Sequence, residues 1–122
     1  MEPKIELIID ALVGYSFVGE PYGNVARLID LVNYAKASGV PILSLDVPSG
    51  MDATTGEIHQ PCINASATMT LALPKTGLMK NNAMDIVGFL FLVDISVPPD
   101  LYSQIGLEIR NLFPEKEIFK LF

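Results

Sequence analysis

Two short apolar runs, each stopped by an aspartate, bracket one amphipathic helix, and this arrangement restricts the chain to a layered α/β fold. Ile5 to Asp10 is almost continuously apolar, the pattern of a strand covered on both faces in a parallel sheet. After a loop from Gly14 to Gly23, the residues Val25, Leu28, Ile29, Val32 and Ala35 recur at helical spacing, with Asn24, Arg27, Asp30, Asn33 and Lys36 on the other side. Ser38-Gly39 supplies a left-handed end and Pro41 prevents continuation. Ile42 to Asp46 is then a second apolar run closed by a second carboxylate.

Downstream, Ala67 to Ala72 and Gly88 to Asp94 have the composition of strands, the second again ending in Asp. Pro74 to Val87, with Gly77 and Lys80-Asn81-Asn82, suits a turn or one irregular helical turn. Pro98-Pro99-Asp100 is suited to start a short helix, and Glu117 to Phe122 to form an edge strand. No repeat, low-complexity tract or linker divides the chain, so residues 1–122 read as a single domain.

Half of the 122 residues are hydrophobic and 18% are charged, which supports a packed core and excludes a disordered tail or a disulfide scaffold. A net charge of −6 without a basic cluster argues against nucleic acid as a partner. The longest central apolar stretch, Gly88 to Ile95, is far short of the ~20 residues of a membrane helix, so no membrane partner is expected. Met1-Glu2-Pro3-Lys4 has no features of a secretory signal, and the lone Cys62 cannot close an internal disulfide, so a cytoplasmic location is expected.

Asp10 and Asp46 terminate two strands of one βαβ unit and should therefore lie on the same carboxyl edge, where open α/β sheets bind ligands. If the strands are neighbours, about 4.8 Å apart, the carboxylates could share a cation, or their repulsion could raise one pKa. The plain alternative is that acids end strands because the chain there meets water. The loop Gly14 to Glu20 carries two glycines at the spacing of a phosphate loop, but Glu20-Pro21 stands where the lysine should be, which argues against a nucleoside triphosphatase. In Asp46-Val47-Pro48-Ser49-Gly50-Met51-Asp52 a rigid proline, a hydroxyl and a glycine follow the strand directly. Asp10, Asp46 and Ser49 offer hard oxygen ligands for a cation, or an acid/base with two positioning groups, and zinc is disfavoured.

Ser16 and Ser49 lack the nucleophile elbow, which argues against a serine hydrolase, and His59 reads as a solvated side chain without a partner. Cys62 reads as a small packed residue. Lys75 could meet an anion on the same edge, although a solvated lysine is the commoner case.

Three motifs in order carry a family resemblance: Ile8-Ile9-Asp10-Ala11-Leu12-Val13-Gly14-Tyr15-Ser16-Phe17-Val18-Gly19, then Leu45-Asp46-Val47-Pro48-Ser49-Gly50-Met51-Asp52 with Thr55-Gly56, then Ala72-Leu73-Pro74-Lys75-Thr76-Gly77-Leu78. Together they closely resemble the NAD(P)H-hydrate epimerase family, also called the YjeF N-terminal domain. The resemblance implies a Rossmann-like, three-layer α/β/α domain with a largely parallel sheet. The implied reaction interconverts the R and S forms of hydrated NADH and NADPH (NADHX and NADPHX), a metabolite-repair isomerisation. It further implies that Asp46 contacts the substrate and acts as acid/base at the hydrated nicotinamide carbon. Asp10 and Ser49 match ligands of a potassium ion, and Gly14, Tyr15, Ser16, Phe17, Val18, Gly19 and Glu20 match a substrate-contacting loop. Family members carry a region before the first motif that has no counterpart here, so the expected fold is incomplete at its N-terminal side. The partner expected is a companion N-terminal half or a second copy. A non-catalytic ligand- or protein-binding module of the same fold is the alternative function.

Overall fold

A computed structural model of the chain describes residues 2–109, 113 and 117–122. Among these residues five strands form one sheet in the order in which they occur along the chain. They are β1 (Ile8–Asp10), β2 (Ile42–Leu45), β3 (Ala67–Leu71), β4 (Phe89–Val93) and β5 (Ile118–Lys120). The first four are parallel and β5 joins β4 antiparallel at the far edge. The helices are α1 (Gly23–Ala37), α2 (Met84–Val87) and α3 (Pro99–Gln104). The α/β class with a largely parallel sheet therefore stands.

The register explains where the core sits. Ile8 pairs with Ile42, Asp10 with Ser44, Ser44 with Thr68 and Thr68 with Leu90, so these residues point to one face of the sheet. That face is covered twice. Near β1 and β2, Ile29 of α1 packs with Ile42, Ile63 and Ala65, flanked by Ile8, Val25 and Val32. Nearer β4, Leu90 packs with Val47, Met51, Cys62, Leu78, Ala83 and Val87. Complete burial of a side chain such as Ile29 contributes about 1.5–3 kcal/mol. A strand order that never reverses sends every right-handed crossover over the same face. On the opposite face Ile9, Leu45 and Phe89 are 41–62% exposed, Leu43, Met69 and Phe91 are partly buried, and Lys120 Nζ lies 4.4 Å above the Phe89 ring.

Several sequence expectations change in detail. The first run is strand only over Ile8–Asp10, and Ile5, Leu7 and Ile9 are exposed rather than covered on both faces, because β1 is an edge strand. Leu28 also turns out exposed, the buried stripe of α1 being narrower than its apolar positions. Pro74 to Val87, open in the sequence, contains two 3-10 turns, Thr76–Met79 and Asn81–Ala83, followed by α2. The short helix after Pro98 and the C-terminal edge strand form as expected.

Polar side chains fix α1 to the chain entering β3. Asn33 Nδ2 donates to the Cys62 carbonyl at 2.7 Å, the Asn64 amide donates to Asn33 Oδ1 at 2.9 Å, and Lys36 Nζ donates to Asn64 Oδ1 at 2.7 Å. Partial burial lowers the Lys36 pKa. Cys62 is buried in the core as a free thiol, and burial, with the Asp10 charge second, pushes its pKa up from 9.0 to about 12. The unfolded chain releases this proton at a lower pH than the folded one, so stability is lost as pH rises from about 9 toward 12. At pH 8, iodoacetamide should label Cys62 slowly in the native protein and rapidly in urea, as read by mass spectrometry.

Candidate active site

The carboxyl edge of the sheet carries both strand-end aspartates, each with its own set of partners. Asp10, the last residue of β1, is 2% exposed. Its Oδ2 accepts from Ser44 Oγ at 2.7 Å and from the Ser49 amide at 2.9 Å. Its Oδ1 accepts from Ser49 Oγ at 2.6 Å and, at 3.4 Å, from the Leu12 amide. Ser49 Oγ in turn accepts from the Val13 amide at 3.2 Å. A buried carboxylate requires this many donors, and here they tie the loops after β1 and β2 to each other. Ser44 is a partner that the motifs above do not include. Its signal was a hydroxyl inside the apolar run Ile42-Leu43-Ser44-Leu45, at the inward-facing parity.

Asp46 follows β2 with φ +68°, a left-handed conformation rarely adopted by non-glycine residues. Its amide still donates to the Met69 carbonyl at 2.7 Å, so the turn is fixed against β3. The side chain accepts, on Oδ1, from the Leu71 amide at 3.1 Å, from Thr70 Oγ1 at 3.3 Å and from Lys75 Nζ at 2.5 Å. Lys75 Nζ also donates to the Leu71 carbonyl at 2.6 Å. The expectation of a solvated lysine is thus corrected: the Lys75 side chain is 14% exposed and ion-paired with Asp46. Ala72, at φ +66°, bends the chain after β3 so that Lys75 can reach back. The two aspartates have separate partners in this arrangement: Asp10 is held by serines and Asp46 by a lysine.

A cleft of about 510 Å³ opens beside this pair, lined by Tyr15, Thr54, Leu71, Ala72, Pro74, Lys75, Val97 and Tyr102 among others. Of the loop expected to contact substrate, Tyr15 reaches this cleft. Phe17 lines a separate cavity with Tyr22 and Val25. Gly14, Ser16, Val18, Gly19 and Glu20 border neither, and Val18 is 81% exposed. On the opposite side, Thr54 is fixed by a tight turn in which Asp52 Oδ1 accepts from the Thr55 and Thr54 amides at 2.7 and 2.8 Å. Those two hydrogen bonds hold the Asp52 pKa below its ordinary value. His59 is 15% exposed and lies 3.8 Å from Glu57, so it is neither solvated nor isolated.

Ser49 Oγ lies 2.6 Å from Asp10 Oδ1 and 3.4 Å from the Val13 carbonyl, which brings a hydroxyl, a carboxylate and a carbonyl together. These hard oxygens fit a potassium ion in kind. Among the described residues no cluster of three or more His, Cys, Asp or Glu could hold a metal, so zinc-type ligation has no candidate there.

Comparison with known proteins decides the lineage of this edge. The family model described as YjeF-related protein N-terminus matches residues 1–77, which contain β1, α1, β2, β3 and both aspartates. The chain belongs to this family. Among curated proteins of the YjeF family, the chain is 42% identical over 105 residues to an NAD(P)H-hydrate epimerase of Dehalogenimonas lykanthroporepellens, covering 86% of this chain and 40% of that protein. It is 38% identical to an NAD(P)H-hydrate epimerase of Truepera radiovictrix, covering 86% of this chain and 45% of that one. A bifunctional NAD(P)H-hydrate repair enzyme Nnr of Moorella thermoacetica matches at 38% identity over 80% of this chain and 18% of its own length. The crystal structure of yeast ynu0 superposes with a TM-score of 0.71 at 26% identity, covering 95% of this chain and 46% of the yeast one. The chain therefore spans less than half the length of these YjeF relatives.

Proposed function

We propose that this chain carries the nicotinamide-contacting part of an NAD(P)H-hydrate epimerase, interconverting the R and S forms of NADHX and NADPHX. The observation that carries the reading is the Asp46–Lys75 ion pair beside a cleft on the carboxyl edge. Two proteins to which the chain is 42% and 38% identical bear the epimerase name. Water adds to a dihydronicotinamide at the carbon next to the ring nitrogen, because the nitrogen lone pair stabilises positive charge there. Inversion at that carbon needs the hydroxyl to leave as water and water to return from the other face. One proton must be given to the departing oxygen and one taken from the returning water, which is work for a positioned acid/base group. The Asp46–Lys75 pair supplies that group in this proposal, and Tyr15, from the loop Gly14 to Glu20, offers a flat wall for the ring.

A potassium ion belongs to the same proposal, held by Asp10 and Ser49. When bound it supplies a fixed positive charge behind the substrate loop. Because such cations take about six or more oxygens, further ligands must come from substrate, water or additional protein. A companion N-terminal half or a second copy is the proposed source of the protein ligands, and a reducing cytoplasm the proposed setting, given the free Cys62. Among the described residues, no helix is long and apolar enough to cross a membrane.

The test is R-to-S conversion of hydrated NADH by the purified chain, alone and mixed with an N-terminal half from a relative. Asp46→Asn should slow conversion by about 100-fold in whichever preparation is active. Conversion in neither preparation would refute the catalytic reading. In its place would stand a non-catalytic binding module, which the half-exposed face around Ile9, Leu45 and Phe89 favours.

A further inference from the structure

Lys75 borders the cleft, whereas Asp46 is absent from its walls and lies behind the lysine, 2.5 Å from Nζ. An ammonium group has three protons to donate and no acceptor capacity. Two of the three are committed inward, one to Asp46 Oδ1 and one to the Leu71 carbonyl at 2.6 Å. The tetrahedral arrangement of donors on nitrogen directs the remaining one away from both of these partners. The hydrogen bond back to Leu71 closes a loop through Ala72 and Pro74, so a normally mobile side chain is held in one place. Tyr15 and Tyr102 line the same cleft, giving it apolar faces suited to a planar ring.

We propose that Lys75 is the catalytic residue of this edge: its third N–H is donated to the hydroxyl oxygen on the hydrated ring carbon, and Asp46 acts through Lys75 as its positioning residue. This rests on the epimerase reading and assigns the roles within the pair. As the ring nitrogen lone pair forms a C=N bond, the C–O bond breaks with its electron pair on oxygen. Lys75 gives that oxygen a proton, and neutral water departs from a cationic ring beside a neutral amine. Water adding to the opposite face forms the new C–O bond, returns the C=N electrons to nitrogen and loses its extra proton to solvent water, from which the neutral Lys75 amine is reprotonated. The Asp46 carboxylate holds the nitrogen in place throughout.

Arginine can keep the contact with Asp46 and donate hydrogen bonds, but it cannot give up a proton in a protein. Two readouts test the proposal on the full chain, alone and mixed with the N-terminal half of a relative, with hydrated NADH: the rate of R/S conversion, and the 15N resonance of the Lys75 ammonium, assigned by its loss in Lys75→Met. Lys75→Met should reduce kcat by about 100-fold or more. Lys75→Arg should leave KM within about threefold of the parent while kcat stays at least about tenfold down, a split that a merely structural lysine would not give. The Lys75 resonance should move on addition of hydrated NADH. Lys75→Arg turning over at the parent rate, or an unmoved resonance in a protein that converts the substrate, would overturn the role of Lys75 and leave the epimerase reading intact. A resonance that moves in a protein without conversion would refute the epimerase reading while supporting the Lys75 contact. An unmoved resonance without conversion would refute both.

Discussion

Asp10→Ala should lower the unfolding free energy by about 4 kcal/mol, which places it among the most damaging single changes available to this chain. The carboxylate accepts from Ser44 Oγ, Ser49 Oγ and the Ser49 amide, and all three residues are at most 2% exposed. Each buried donor left without a partner costs about 1–3 kcal/mol, and rotation of the two hydroxyls recovers only part of that. For a domain of this size the loss corresponds to a fall in Tm of about 15 °C. Asp10→Asn separates charge and hydrogen bonding from cavity volume. It has nearly the same shape, but its NH2 group must face a donor, so it should also destabilise, by about 2 kcal/mol. Urea unfolding followed by circular dichroism would measure both; a midpoint for Asp10→Ala unchanged from the parent would mean that the serine cluster does not hold the edge together.

Gly50→Ala is expected to cost about 3 kcal/mol for a steric reason. Gly50 has φ +101°, and a Cβ there would stand 2.5 Å from the Pro61 carbonyl oxygen and 2.7 Å from Cys62 Cα, both backbone atoms. The loop cannot swing away easily. Ser49 and Gly50 carbonyls accept from the Ile63 and His59 amides at 2.8 and 2.9 Å, which binds the two segments together. Gly19 provides the internal control: its φ is +89° and a Cβ would meet nothing within 4 Å. Gly19→Ala should therefore show the conformational penalty alone, about 1 kcal/mol. Equal destabilisation of the two variants would argue that close approach at Gly50 contributes nothing. Because Gly50 adjoins Ser49, its variant should also disturb the Asp10 contacts, visible as altered amide shifts at Ser49 and Val13.

Much of this edge was readable from residue pattern because strands and helices advertise themselves through periodicity. The β1–α1–β2 unit and its two terminal carboxylates emerged from apolar runs stopped by Asp10 and Asp46 and from the 3.6-residue repeat of Val25, Ile29 and Val32. What did not emerge depends on side-chain reach across the sheet. Lys75 lies 29 residues from Asp46, and nothing local distinguishes a lysine that folds back onto a carboxylate from one that extends into water. Ser44 was passed over although a hydroxyl at an inward-facing strand position needs a partner, and that need pointed to Asp10. The half-exposed sheet face was legible only once strand order was known, since identical strands in a reversing order would have been covered on both sides.

The left-handed residues Asp46, Ala72 and Ser96, at φ 65–68°, each come within three positions of the end of a parallel strand. Each sets a non-glycine side chain in a conformation disfavoured by about 1–2 kcal/mol. Drift toward hardier variants would favour glycine at these corners, yet at Asp46 that exchange would erase the carboxylate on which Lys75 is anchored. Breeding this chain for heat tolerance alone should therefore blunt its chemistry first at the corner where β2 hands over to its loop.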